Sequence, residues 1–470
     1  MSATATTEKK YLKWYQKLAY GSGDLASNCS YGLVSSFVLL YLTGTLGLDS
    51  AIIGSLMLAS KVLDGISDVI FGTLIDRTHS KLGKARPWML FGQVGVSLCL
   101  FLLFAIPAGS TTMQYIYFFI VYTALNAVFY TANGIAYSSL VALITKNNNE
   151  RVQLGSFRFM FAVVTNIFMG FAVTGMVEKF GSGAAGWRTT ALIFAIVGLV
   201  VNTISCLAVK ELPDEELSGN TSEAAEEGKA VAEEKKHGFA ETAKILVHNK
   251  YYLMILAIYI VYYIMSNLTT GAGVFCATYY WGDGSLLGQF SMMKMFPVII
   301  ALAIAPVLIK KTGSMQKVNF WGYAISSVLG IPMIYFAMQK NLSMFLLFMF
   351  IKGIFAGTLS GSLNALIAEA SGYTTRTTGV HMDGMMYSCS SLGVKVGGGI
   401  GTAAVGWLLK LGGFVGTATV QSESAIRMIF NLYITFPFVI GIIITVLLAF
   451  LDVEKANKKW DAEHQKEAQA

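Results

Sequence analysis

Charge is what this chain has least of. Asp, Glu, Lys and Arg make up 13% of its 470 residues, where a soluble domain carries about 25%. Hydrophobic residues make up 54%, and the mean hydropathy is +0.59. A soluble globular chain is excluded, and a polytopic membrane protein is expected. Proline is scarce too: 7 residues against 47 glycines, a supply that suits close helix contact more than loops. The five cysteines (Cys29, Cys99, Cys206, Cys276 and Cys389) fall inside apolar runs, and no motif pairs them. Neither a disulfide framework nor a metal site follows. No nucleophile–base pair, phosphate-binding glycine loop or metal-ligand spacing is found, so an enzyme is not expected. Lys9, Lys10, Lys13 and Lys17 precede the first apolar run, but no small-residue cleavage site follows a short apolar core. No cleaved signal peptide is expected. The net charge of +7 reflects bases on one side of a membrane and points to no nucleic-acid partner.

What is present is apolar length. Runs fall at 18–45, 51–75, 88–107, 113–143, 153–177, 186–209, 250–282, 286–309, 318–338, 342–369, 378–411 and 426–451. Twelve membrane-spanning helices of about 20 residues or more are therefore expected. The one long polar segment lies between the sixth and seventh. It divides the chain into a six-helix bundle at 1–211, a cytoplasmic linker at 212–249, a second bundle at 250–453 and a cytoplasmic tail at 454–470. Arg77, Lys81, Lys84, Arg86, Lys146, Arg151, Lys310, Lys311, Lys317 and Arg376 fall in alternate loops, whereas the other loops hold little beyond Lys179 and Lys340. That bias predicts cytoplasmic N- and C-termini in a cell (inner) membrane. A basic, glycine-containing turn follows both the second run (Asp76 to Lys84) and the eighth (Lys310 to Lys317). Such a 6+6 repeat suits a rocking transporter.

The second run carries the chemistry. Lys61, Asp64, Ser67 and Asp68 interrupt an otherwise apolar segment. A carboxylate at the centre of a membrane helix costs about 2.5–3.5 kcal/mol on insertion scales. Asp64 and Asp68 are four apart and share a face, with Lys61 and Ser67 on or beside it. This face meets a polar cavity rather than lipid. Two carboxylates and a hydroxyl suit a small cation, sodium as a metal ion or a proton shared between like charges. The other reading is a Lys61–Asp64 salt bridge that only packs helices.

These residues also carry a resemblance. Asp64-Gly-Ile-Ser67-Asp68, then Gly72, Asp76-Arg77-Thr78 and Gly83-Lys84-Ala-Arg86-Pro87-Trp88 resemble the signature of the glycoside–pentoside–hexuronide:cation symporters, the melibiose permease-like family of the major facilitator superfamily. Further similarity lies in Gly21 to Asn28, in Ser156-Phe-Arg158 and in Gly393-Val-Lys395-Val-Gly-Gly. The resemblance implies an all-α membrane protein of two six-helix bundles. It implies import of a glycoside with a monovalent cation, sodium or proton, by alternating access, without another cofactor, in a protein that works as a monomer. It makes Asp64, Asp68, Ser67 and Thr131 cation ligands, Asp24, Asn28, Asn133, Tyr137 and Arg158 substrate contacts, and Lys395 a base that faces the cation site. In melibiose permease a fourth-helix aspartate binds galactosyl hydroxyls; here that position is Gly134. With an acid lost and the bases Arg158, Lys294, Lys352 and Lys395 kept, an anionic glycoside such as a glucuronide or other uronide is one expectation. The alternative is that Arg158 and Lys395 serve neutral sugars too.

Tyr259, Tyr262, Tyr263 and Asn267 form a stripe in the seventh run, and Tyr263 and Asn267 are candidate sugar contacts. Asp76, Arg77, Lys84 and Arg86, with Lys61, form a candidate gate and coupling network. His79 is expected to be solvated, and His381 to be a loop-side contact. A proton-coupled exporter of drugs or lipids is the rival function.

Overall fold

The computed structural model describes residues 9–213, 245–379, 383–418 and 420–467. Its long helices are α1 (Trp14–Thr45), α2 (Ser50–Asp76), α3 (Arg86–Leu103), α4 (Thr111–Ile144), α5 (Asn148–Lys179), α6 (Gly183–Leu207), α7 (Lys250–Tyr280), α8 (Leu286–Thr312), α9 (Met315–Met338), α10 (Leu342–Thr378), α11 (Asp383–Leu411) and α12 (423–450). A polar helix, α13 (Val453–Glu467), follows. No strand occurs among the described residues. Every long helix but α2 is both long and apolar enough to cross a membrane, α12 being counted together with α13. The 27 residues of α2 reach about 40 Å, which is also sufficient; charged side chains are what set it apart. Large apolar side chains such as Val69, Phe91, Val328 and Phe450 are exposed, as surfaces that face acyl chains require. The acidic stretch at 214–236 and His381 lie outside the described residues.

Polar residues in the connections start the helices. Asp49, Ser110, Asn147, Asn249, Ser314, Asn341 and Ser422 each accept a backbone N–H from the first turn of the helix that follows. Within each half the same four packings recur: α1 on α5, α1 on α6, α3 on α4 and α3 on α6, then α7 on α11, α7 on α12, α9 on α10 and α9 on α12. Contacts divide the chain into two compact units, one containing α1–α6, the other 289–414 and 422–467 with α7.

A carboxylate ties off each unit in the same way. Glu211, just past α6, accepts from the backbone N–H groups of Lys84 (2.7 Å), Ala85 (3.0 Å) and Arg86 (3.0 Å) at the start of α3. Glu454, just past α12, accepts from Gln316 N at 3.0 Å and from the Ser314 hydroxyl at the start of α9. A negative charge on unsatisfied N–H groups and on the positive helix end is stabilising on both counts. Gly83 makes room for the first of these. Its φ is +110°, and a Cβ there would lie 2.3 Å from the Glu211 carboxyl carbon.

The tightest helix pair is α7 on α11. Gly393, Gly397 and Gly401 recur every four residues and face α7. A Cβ on them would lie 2.4 Å from Tyr259 Cβ, 2.4 Å from the Ile260 carbonyl oxygen and 2.6 Å from the Ile264 carbonyl oxygen. Small residues at this spacing let backbones approach. Gly397→Val is therefore expected to cost about 1–3 kcal/mol by overpacking. It lowers the melting midpoint and the monodisperse yield in detergent, read by fluorescence-detected size exclusion after heating. Gly134→Ala, whose Cβ would meet nothing within 4 Å, leaves both unchanged.

Candidate cation and substrate site

In the first unit, α2 and α4 bring Asp64 and Thr131 together. The Thr131 hydroxyl donates to Asp64 Oδ1 at 2.6 Å, while Lys61 Nζ stands 3.5 Å from Asp64 Oδ2. Local backbone form explains how Thr131 reaches so far. Residues Ala124–Tyr130 make a π-helical turn, and Asn126, five residues back, receives the Thr131 N–H. The Thr131 hydroxyl lies 2.9 Å from that same carbonyl, so its single proton serves either Asn126 or Asp64. Such turns concentrate at functional sites because they add a residue to the helix without ending it. The Ser67 hydroxyl donates to the Asp64 carbonyl at 2.9 Å, within its own helix. Asp68 lies one turn further along α2 and, like Asp64, is half-buried. The long Lys61–Asp64 contact is the bridge that pure packing would produce; it accounts for one carboxylate of the two.

A second cluster joins α1, α4 and α5. Arg158 Nε donates to Asp24 Oδ2 at 2.6 Å, with the two side chains 25% and 18% exposed. The guanidinium carbon stands 4.2 Å from the centre of the Tyr137 ring. That ring is held by a reciprocal pair: Tyr137 OH donates to the Tyr20 carbonyl at 2.7 Å and Tyr20 OH to the Tyr137 carbonyl at 2.5 Å. Asn28 accepts from Asn166 Nδ2 at 2.9 Å and donates to the Asp24 carbonyl at 2.7 Å. Tyr31 extends the first cluster. It stacks on Tyr130 with centroids 5.4 Å apart, and Lys61 Nζ is 5.8 Å from its ring.

Asn133 is not part of either cluster. It is 2% exposed, and its amide donates to Gln93 Oε1 of α3 at 2.6 Å, a bond that holds α4 on α3. Tyr137 is equally buried and offers its ring face, not its hydroxyl. In the second unit Asn267 donates to the Tyr263 carbonyl at 3.0 Å and lies against Gly398 of α11, while Lys395 is half-buried on that helix. Tyr259 bonds Asn364 at 2.8 Å. Of the gate candidates, Asp76 and Arg77 are exposed. Arg86 donates to the Cys206 carbonyl at 3.2 Å and the Leu82 carbonyl at 3.3 Å, and the Lys84 N–H is taken by Glu211. Exposed His79 lies 3.0 Å from the Arg77 carbonyl.

Residues missed in the sequence are Tyr31 and Asn166. Each had a signal: Tyr31 is seven residues after Asp24 and Asn166 eight after Arg158, separations that return to the same helix face.

Electrostatics separates the two units. More than two turns from any end of α1–α6, the charges are Asp24, Asp64 and Asp68 against Lys61 and Arg158, one acid in excess. At the same depth in α7–α12, Lys294, Lys352 and Lys395 face only Glu369, whose Oε2 accepts from Asn457 at 2.9 Å. Among the described residues no group of three or more His, Cys, Asp or Glu could hold a metal ion.

Residues 19–455 match the model of a family described as MFS/sugar transport protein. Over 466 residues the chain is 26% identical to the isoprimeverose transporter of Lactiplantibacillus pentosus, covering 98% of this chain and 93% of that one. It is 24% identical over 408 residues to the glucuronide carrier protein homolog of Escherichia coli (strain K12), covering 86% and 85%. The crystal structure of a D-xylose–proton symporter superposes with a TM-score of 0.64 at 12% identity, covering 94% of this chain and 98% of that one, a likeness of fold.

Proposed function

Because the chain belongs to the MFS/sugar transport protein family, among the glycoside–pentoside–hexuronide:cation symporters, and is a multi-pass sugar transporter, we propose that it imports a glycoside together with one monovalent cation by alternating access. The observation that carries this reading is Asp64 set between the Thr131 hydroxyl and the Lys61 ammonium, with Asp68 one turn further along the same helix. A cation bound there lowers the cost of keeping two carboxylates within the span. Asp64 and Asp68 supply hard oxygens, Thr131 a hydroxyl, and Ser67 a lone pair. Sodium and the proton both fit such a set. Sugar binds beside it, on Asp24, Asn28 and Arg158; Tyr263, Asn267 and Lys395 are further candidate contacts. Asp76, Arg77, Lys84 and Arg86 gate the cytoplasmic end. The carrier works as a monomer in the cell membrane, with both termini in the cytoplasm.

The cargo is an acidic glycoside such as a glucuronide. The support is the base-rich second unit and the open space at Gly134, where no carboxylate accepts from sugar hydroxyls. Arg158 keeps its planar fork for a carboxylate partner. Coupling to one monovalent cation makes transport of a singly charged uronide electroneutral, so the membrane potential adds no net force. A tenfold cation gradient supplies about 1.4 kcal/mol, for a ceiling of about tenfold accumulation.

The test is uptake of labelled glycosides into proteoliposomes under a sodium gradient and, separately, a pH gradient. One of the two gradients drives accumulation, and a glucuronide outcompetes its neutral counterpart. Counterflow without gradient-driven accumulation overturns the coupling. A neutral glycoside that outcompetes the uronide overturns the acidic cargo.

A further inference from the structure

The second unit holds a partly open cavity of about 180 Å³ that the cation site does not use. Its walls come from α7, α8, α9, α10 and α12, and they include Lys294, Lys352, Tyr323, Ser326 and Ser360. No acidic side chain is among the residues that line it. Lys294 is the ninth residue of α8 and Lys352 the eleventh of α10. At 1.5 Å per residue these lie about 12 and 15 Å from the start of each helix, well within the span, and both are half-buried.

The surroundings of Lys294 are specific. Its ammonium donates to Thr269 Oγ1 and Thr270 Oγ1, at 3.2 Å each. Both threonine hydroxyls in turn donate to carbonyls of their own helix, at Met265 and Ser266. Their lone pairs are thus turned to the ammonium. They orient it, but being neutral they leave its charge in place. Across the same cavity the Tyr323 hydroxyl is buried without a hydrogen-bond partner, on a residue only 2% exposed. A buried hydroxyl without a partner is costly, and a native protein keeps one where a ligand completes it. Two ammonium groups and an idle O–H donor face the cavity, and no carboxylate in its wall balances their charge. The complement of such a wall is an acceptor with negative charge.

We propose that the cavity walled by Lys294, Lys352 and Tyr323 binds a single anion of carboxylate size. Lys294 and Lys352 neutralise its charge as point cations, and Tyr323 donates to one of its oxygens. The site stands whether or not the chain works by symport. Only the identification of the anion with a carboxylate on the cargo rests on the function proposed above. Two sources share this chemistry: the carboxylate of an acidic sugar, or a free small anion that fills the cavity while a neutral sugar binds elsewhere.

Equilibrium binding by the purified full-length protein in nanodiscs tests this, with D-glucuronate, sodium acetate and methyl glucoside as probes in isothermal titration. Lys294→Gln and Lys352→Gln are each expected to weaken anion binding at least tenfold. Tyr323→Phe, which removes one oxygen and keeps the ring, is expected to weaken it about tenfold or more, the scale of one hydrogen bond to a charged group. Melting midpoints without ligand certify that the variants fold. Acetate bound by the wild type and lost in the lysine variants identifies a free anion. Glucuronate bound and acetate not, with the same losses, identifies the cargo's carboxylate. Wild-type protein that binds neither anion, or folded variants that bind as tightly as the wild type, overturns the site.

Discussion

Asparagine in place of Asp64 abolishes gradient-driven accumulation while exchange of sugar across the membrane persists. Asparagine keeps the shape of the side chain and can still accept from the Thr131 hydroxyl, which lies 2.6 Å from the carboxylate. What it removes is the negative charge. Lys61, 3.5 Å away, then loses its counter-charge, and the first unit's excess of one acid disappears. With one of its two carboxylates gone, the cation is held too weakly for its binding to favour sugar, and by reciprocity sugar no longer favours the cation. Under a tenfold cation gradient the accumulation ratio is expected to fall from a ceiling of about tenfold, about 1.4 kcal/mol of driving force, to unity. Labelled-glycoside uptake and counterflow on the same vesicles measure the two halves of this statement. Asp68→Asn acts in the same direction. Full accumulation in either variant removes that residue from the cation site.

The second large effect is at Arg158. Arg158→Lys retains a positive charge beside Asp24, so the pair survives. It loses the planar fork and the face that lies 4.2 Å from the Tyr137 ring centre. Apparent sugar affinity is expected to fall by about ten- to a hundredfold, the scale of one or two lost charge-assisted hydrogen bonds, with the cation dependence kept. Arg158→Gln is harsher, since Asp24 is then left alone. Breaking a fully buried pair costs about 3–5 kcal/mol, and the partial exposure of both side chains brings this case below that range. Asp24→Asn with Arg158→Gln therefore recovers folded yield relative to Arg158→Gln, but not uptake. A double-mutant cycle on yield and on KM separates the two roles. If Arg158→Lys transports with unchanged KM, the guanidinium holds helices together and does not hold sugar.

The sequence carried the architecture because its information there is one-dimensional. Among the described residues the twelve apolar runs become twelve long helices, and only their ends differ. Thus α5 begins at Asn148 and α10 runs on to Thr378, since polar caps such as Asn147 and polar turns such as 370–378 continue a helix beyond the apolar stretch. Within a helix, spacing was also sufficient to set Asp64, Asp68, Lys61 and Ser67 near one another. Partnerships between helices were less legible. Asp24 and Arg158 are 134 residues apart, and their pairing depends on how α1 packs on α5. The same holds for Asn133, whose side chain turns to Gln93 rather than to either polar cluster, a choice that no periodicity records. The π-helical turn before Thr131 shifts every later side chain of α4 by about a residue, and a regular 3.6 repeat cannot anticipate it.

The pair of carboxylates that tie off the two units has a consequence for how the chain is made. Glu211 closes its bonds to α3 only after six helices have been synthesised, and Glu454 repeats this for α9 at the very end of the second set. The first half can therefore be latched in the bilayer while the second is still on the ribosome. Each half carries its own clasp just past its sixth helix, so the first half holds every residue needed for its own closure before the second is made.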